Sequence, residues 1–171
     1  MELFIDRITS PIGTLLAVWQ PRALRALHFD DGDETPWRQL LRWQFGTETL
    51  ASERAPGEIR RPIEAYFQGE ITAIDAVPVH ASGTPFQQQT WTALRQIPAG
   101  TTISYGELAA RIGRHGASRA VGLANGSNPI AVVVPCHRVI GAKGALTGYG
   151  GGLHRKRWLL AHEQANRLEL T

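Results

Sequence analysis

Cys136 and His137 stand side by side in Pro135-Cys136-His137-Arg138, and Cys136 is the only cysteine in the 171-residue chain. A thiol attacks as thiolate, and an imidazole backed by a carboxylate lowers the cost of reaching that state. A lone cysteine is more often a small buried hydrophobe. Flanking proline, histidine and arginine in place of aliphatics favours chemistry at this one. The preceding Ile130-Ala131-Val132-Val133-Val134 is apolar and β-branched and reads as a buried strand. Pro135 ends it, because proline donates no ladder hydrogen bond. The thiol is therefore expected at a strand end, with His137 pointing to the opposite face. One cysteine allows neither an internal disulfide nor a cysteine-based zinc site, so a reducing compartment and no metal or cofactor are expected.

The elements that must position this pair fall into two parts. Residues 1–29 read as three antiparallel strands, turned by Ser10-Pro11-Ile12-Gly13 and Pro21-Arg22. Asp30-Asp31-Gly32-Asp33 is an acidic loop without the spacing of a calcium site, expected to be solvated. Thr35-Pro36 starts a helix whose stripe of Trp37, Leu40, Leu41 and Phe45 reads as core. A second helix is expected over residues 61–68, closed by Gly69. Residues 71–83 lack a helical period and read as the crossing between two domains, 1–83 and 84–171. Nothing in the first looks catalytic.

In the second part, Thr84 and Gln87 are spaced as a capping box, and Phe86, Thr90, Ala93, Leu94 and Ile97 share one packed helix face. Ser104 and Glu107 repeat the box and open a short helix to about residue 111. After Gly113-Arg114-His115-Gly116 a second short helix covers 117–125, so the pair has helix-turn-helix proportions. Ala117, Ser118, Ala120, Gly122 and Ala124 are small, and only Arg119 and Asn125 are long and polar. Such a helix suits close approach to a minor groove, or equally tight packing on another helix. Gly126-Ser127-Asn128-Pro129 is a turn into the cysteine run. Residues 144–152 form a glycine-rich loop with Tyr149, without a phosphate-loop pattern, whose backbone can approach a flat ligand. A last helix, about 153–166, begins with Arg155-Lys156-Arg157, readable as a phosphate contact or a solvated face.

Pro135-Cys136-His137-Arg138-Val139 resembles the active-site signature of the O6-alkylguanine-DNA alkyltransferases, the methylated-DNA–protein-cysteine methyltransferases. Ser104-Tyr105-Gly106-Glu107-Leu108-Ala109, Arg119-Ala120-Val121-Gly122, Asn128-Pro129 and Trp158-Leu159-Leu160-Ala161-His162-Glu163 extend the resemblance, in family order, from about Thr84 to Glu163. It implies an α/β chain of the α+β kind: an N-terminal ribonuclease-H-like antiparallel sheet with helices, then a mostly helical domain containing a helix-turn-helix. It implies a Cys136–water–His137 relay oriented by Glu163, with Asn128 bracing the cysteine segment and Tyr105 helping the base to leave. Arg119 would fill the gap left by an extruded base on a minor-groove helix that includes Ala117, Ser118, Ala120, Gly122 and Asn125. Val139, Tyr149, Gly150 and Cys136 would bound the alkylguanine pocket. The implied reaction is irreversible, single-turnover transfer of the alkyl group from O6-alkylguanine in duplex DNA to Cys136, with O4-alkylthymine open as a second substrate.

Charge distribution agrees with a polyanionic partner. Residues 1–85 carry 8 basic and 12 acidic side chains, residues 86–171 carry 10 and 3, and the formal net charge is +3. No run of membrane-spanning length and no signal-peptide pattern is present, so a cytoplasmic monomer away from membranes is expected. Two rival readings stand beside this one. A cysteine hydrolase would need an oxyanion hole and turnover, and a non-catalytic DNA-binding regulator would not need Cys136.

Overall fold

The computed structural model describes residues 2–47 and 50–167. Its sheet begins as the alternation and turns dictate: β1 (Phe4–Ser10), β2 (Gly13–Gln20) and β3 (Ala23–Asp30) form an antiparallel meander. The central strand β2 is buried on both faces. Leu15, Ala17 and Trp19 join the main core, while Val18, on the other face, packs with Ala26 of β3 and Leu41 of α1 (Thr35–Phe45). Of the expected α1 stripe only Leu41 is fully buried; Trp37, Leu40 and Phe45 are half-buried. The α1 cap also differs, since Thr35 is already helical and Glu34 precedes it.

The sheet is not wholly antiparallel. A two-residue strand, β4 (Ala51–Ser52), pairs parallel to β1 and gives the order β3-β2-β1-β4. It is too short for a periodic signal. The next helix, α2 (Gly57–Phe67), starts four residues before the expected Arg61 and carries Pro62 inside it. Pro62 is the sixth helical residue, past the first turn, so it removes one N–H donor from the intrahelical ladder.

Both expected capping boxes form. Thr84 accepts from Gln87 N at the start of α3 (Pro85–Arg95), and Ser104 accepts from Glu107 N at the start of α4 (Tyr105–Arg111). Next come α5 (Ser118–Gly126) and α6 (Leu153–Asn166). A parallel pair, β5 (Ile103–Ser104) with β6 (Val139–Ile140), sets the start of α4 beside the segment that follows the cysteine.

The largest departure from expectation is the run before Cys136. It is not a strand: only Ile130 makes a bridge, to Leu27 at the edge of β3, and residues 131–134 are a turn. Val132 takes a left-handed φ of 68°, rare for a β-branched residue. Local bonds outweigh strand propensity here. Asn128 Nδ2 donates to the carbonyls of Val134 (2.8 Å) and Ile130 (3.3 Å), and its Oδ1 accepts from Ile130 N at 2.9 Å. Pro135, at φ −82° and ψ 65°, makes an inverse γ-turn closed by Cys136 N on Val134 O at 2.8 Å. Cys136–Arg138 is then one turn of 3₁₀ helix. Buried residues from Ile8 to Leu159 form one continuous core beneath it, and no described helix is long and apolar enough to cross a membrane.

Candidate active site

Cys136 opens onto a cleft of about 550 Å³, whose lining includes Tyr105, Gly122, Asn125, Asn128, Tyr149 and Gly150. The cysteine is 8% exposed, so its sulfur is reached only through this cleft. Burial pushes the thiol up from its ordinary value, while the Asn128 side chain and the Lys156 charge oppose that shift. At neutral pH the resting group is therefore the thiol, and attack requires a base.

His137 turns the other way, into the core, and is fully buried. Its Nε2 donates to Glu163 Oε1 at 2.7 Å, which fixes the proton on Nε2 and leaves Nδ1 as an acceptor. Nδ1 is buried and has no protein partner. Burial lowers the imidazole below its ordinary value, with Glu163 opposing, so it is neutral and basic at pH 7. Burial alone would raise Glu163. His137 and Arg138 outweigh that and hold it well below the usual carboxylate range.

Three further partners converge on Glu163. Tyr66 OH donates to Oε1 at 2.8 Å, Arg138 Nε and Nη2 donate to the carboxylate at 2.9–3.2 Å, and Gly100 N approaches Oε2 at 3.4 Å. Arg138 Nη1 ends on Ile97 O at 2.7 Å. Glu163 is therefore a clamped anion that orients His137 and accepts from four residues.

The remaining expected residues sort by placement. Tyr105, at the first turn of α4, and Tyr149 face the cleft, and the Tyr149 hydroxyl is buried without a partner. Gly122, Asn128 and Gly150 also line it. Val139 does not; it is fully buried and its carbonyl accepts from Lys156 Nζ at 2.7 Å. Asn125, expected to face DNA, is buried and its Nδ2 approaches the Cys136 carbonyl at 3.4 Å. On α5, Ser118, Arg119, Ala120, Leu123 and Gly126 are exposed, while Val121, Ala124 and Asn125 face inward. Ala117 precedes the helix and is half-buried.

Two basic residues of α6 are neither phosphate contacts nor a solvated face. Arg155 pairs with Asp31 at 2.6 and 3.0 Å and donates to Ile12 O, so Asp31 is also not simply solvated. Lys156 Nζ holds the carbonyls of Val139 and Thr147, fastening β6 to the glycine-rich loop. A Cβ at Gly151 in that loop would lie 2.8 Å from the Phe29 ring, so a substitution there forces the ring or the loop to shift. Tyr66 is a support of Glu163 that its local sequence does not mark, while Arg138 and Lys156 are marked there but take partners from other segments.

Residues 85–165 match the model of the 6-O-methylguanine DNA methyltransferase DNA-binding domain. The methylated-DNA–protein-cysteine methyltransferase of Shigella flexneri is 44% identical over 167 residues, covering 95% of this chain and 96% of the relative. The chain belongs to the methylated-DNA–protein-cysteine methyltransferase family. The crystal structure of Mycobacterium tuberculosis O6-methylguanine methyltransferase superposes with a TM-score of 0.80 at 45% identity, covering 96% of this chain and 94% of that one. The M. tuberculosis OGT structure in complex with DNA superposes at 0.78, with 44% identity over 95% and 94% of the two chains. Membership in this transferase family sets aside the hydrolase and the non-catalytic regulator.

One stability consequence arises at the cleft rim. Burial lowers His28 from 6.5 to about 4. The unfolded chain therefore takes up a proton near pH 6.5 that the folded chain refuses until about pH 4. Folding stability from this group is full at neutral pH and falls as pH drops through that window, by up to about 3 kcal/mol. Urea midpoints at pH 7 and pH 4.5 should show a smaller acid loss for His28→Phe than for the wild type. An equal loss in both would place the acid sensitivity elsewhere.

Proposed function

We propose that this methyltransferase repairs duplex DNA by moving the alkyl group of O6-alkylguanine onto Cys136 in one irreversible step. The observation that carries the reading is a buried thiol at the floor of a cleft, with a neutral, Glu163-oriented imidazole in the next residue. His137 Nδ1 takes the thiol proton through a water, and the sulfur attacks the alkyl carbon. The carbon–O6 bond breaks as the carbon–sulfur bond forms. The guanine leaves with the electron pair and is neutralised by a proton, with Tyr105 OH donating toward the base as charge develops. A thioether is a poor leaving group, so the thiol is not regenerated and each molecule acts once.

Reaching O6 requires the base to leave the stack. In this reading α4 and α5 act as a helix-turn-helix, and Arg119, Gly122, Leu123 and Gly126, spaced i, i+3, i+4, i+7, form the minor-groove face. Arg119 occupies the vacated base position. Leu123, 73% exposed, adds an apolar contact to that face. Residues 84–171 carry catalysis and DNA binding, while residues 1–83, read as ribonuclease-H-like, buttress the cleft. The protein acts as a cytoplasmic monomer.

Intact mass after mixing with duplex DNA bearing O6-methylguanine tests this. A single gain of roughly 14 Da, one CH₂, located at Cys136 and absent in Cys136→Ala, is expected for thiol alkylation. DNA binding without mass change would reduce the protein to a binder. Product release from unmodified protein would make it a hydrolase.

A further inference from the structure

The sheet-bearing part of the chain reaches the Glu163–His137 pair through one side chain. Tyr66, on the last turn of α2, is fully buried, and its hydroxyl donates to Glu163 Oε1 at 2.8 Å. His137 Nε2 donates to that same oxygen at 2.7 Å, and Arg138 Nη2 at 2.9 Å. Tyr66 is also held at its backbone. Its carbonyl lies 2.6 Å from His162 Nε2, which donates there because a carbonyl can only accept, and its ring packs edge-on against Phe67 and His162. Successive residues of α6, His162 and Glu163, therefore grip one residue of α2 at its two polar ends.

The ring fills the core, and a phenylalanine would fill it as well. The hydroxyl instead directs its proton to the oxygen that orients the base. Burial and the Glu163 charge hold this phenol well above its ordinary value, so the proton stays on the tyrosine at any working pH. Donors that share one oxygen compete for its charge. Tyr66 stabilises the carboxylate most while the neighbouring ring is neutral. Once the ring becomes an imidazolium it draws the Oε1 charge to itself, and the tyrosine bond weakens.

We infer that Tyr66 is a positioning residue for the transfer: by sharing Glu163 Oε1 with His137, it limits how tightly the imidazole holds a proton and keeps that base free. The inference rests on the alkyl-transfer reading above. Other groups face the pair as well. Arg138 and Lys156 oppose a charge on the ring, and Glu163 favours one. Asp75, exposed on a 3₁₀ turn (Ala73–Ala76), faces Arg138 and Glu163, while Cys136 and Tyr149 stand on the cleft side. Tyr66 differs from the ions among these in being a neutral donor on the oxygen that His137 uses. Its hydroxyl can be removed without stranding a charge.

Two changes at this position move the donor in opposite directions. Tyr66→Phe keeps the ring and removes the hydroxyl, whereas 3-fluorotyrosine at position 66 keeps both and strengthens the donor. Proton–nitrogen NMR of histidine-labelled protein, free of DNA at pH 7, reads the His137 Nε2 proton, with His137→Phe identifying its signal. That proton is expected to move downfield in Tyr66→Phe, as Glu163 takes a stronger hold, and upfield with fluorotyrosine. Single-turnover methyl transfer between pH 5 and 7.5 gives the second readout. In Tyr66→Phe the acid limb should move up by roughly half to one pH unit, so the rate on the limb falls about three- to tenfold. Fluorotyrosine should move the limb down, and it decides alone if Tyr66→Phe does not fold. An unmoved Nε2 proton in both proteins, or rates lowered by one factor at every pH, would reduce Tyr66 to core packing and overturn the inference. The two readings fail separately. A wild type that transfers methyl while the Nε2 proton stays put removes only the role of Tyr66. A proton that moves in a protein no duplex alkylates keeps the coupling and removes the function.

Discussion

Glu163→Gln is expected to abolish efficient transfer and to lower the melting temperature by roughly 10 °C. The amide keeps the shape of the carboxylate and removes its charge. Arg138, 1% exposed, then sits as a buried cation with only the Ile97 carbonyl as a firm partner. Breaking a buried pair by removing one ion costs about 3–5 kcal/mol, and a chain of this size loses about 2–4 °C per kcal/mol. His137 loses the acceptor that fixes its tautomer, and Tyr66 loses its anion. Calorimetry on Glu163→Gln, Arg138→Met and the double variant separates these effects. If the charge imbalance dominates, the double variant melts above Glu163→Gln, because the stranded cation is gone. A Glu163→Gln protein melting within about 2 °C of the wild type would mean that this carboxylate is not the electrostatic centre of the core.

Much of this centre was legible from local chemistry. The boxes at Thr84 and Ser104 fix helix starts with bonds that span three residues, so they hold whatever the tertiary context. The adjacency of Cys136 and His137 points to the segment that the structure sets between the cleft and Glu163, and the last helix has the bounds its sequence implies. What failed depended on competing local bonds in one case and on distant partners in the other. Residues 131–134 look like a strand because of their β-branched side chains, yet Asn128 supplies a competing set of bonds and a left-handed Val132 bends the chain. Arg155 and Lys156 look like surface charge. Their acceptors, Asp31, Ile12 and the carbonyls of Val139 and Thr147, come from three other segments.

The same limit applies to the charge asymmetry. Three of the basic residues counted in the second half, Arg138, Arg155 and Lys156, are buried in ion pairs or on carbonyls. The exposed basic groups around α4 and α5 are Arg111, Arg114 and Arg119. The positive face is therefore smaller than the composition suggests, and it is shared between the helix pair and Lys143, Arg157 and Arg167, which are exposed elsewhere. Likewise, Trp37 and Leu40 fit a helical core stripe, but in the fold they are half-buried and line the cleft that also holds Cys136.

His137→Phe should slow transfer by about 10²–10⁴ at neutral pH, the usual contribution of a positioned general base. The pH dependence distinguishes loss of a base from loss of packing. Burial raises the Cys136 thiol and lowers the His137 imidazole. From pH 6.5 to 8.5 the wild type therefore holds a protonated thiol beside a neutral base, and its transfer rate should be nearly flat. It should fall only under acid conditions that protonate the ring. Without the imidazole, attack depends on the small fraction of free thiolate, so the His137→Phe rate should climb about tenfold per pH unit over the same range, as expected well below a thiol's pKa. Single-turnover rates from pH 6 to 9 on one O6-methylguanine duplex give both profiles. Parallel profiles with a constant offset would assign His137 a packing role. A wild-type rate that itself rose about tenfold per unit would mean that thiolate forms without the base. The flat profile requires Glu163 to stay ionised throughout, which its depressed position ensures across this range.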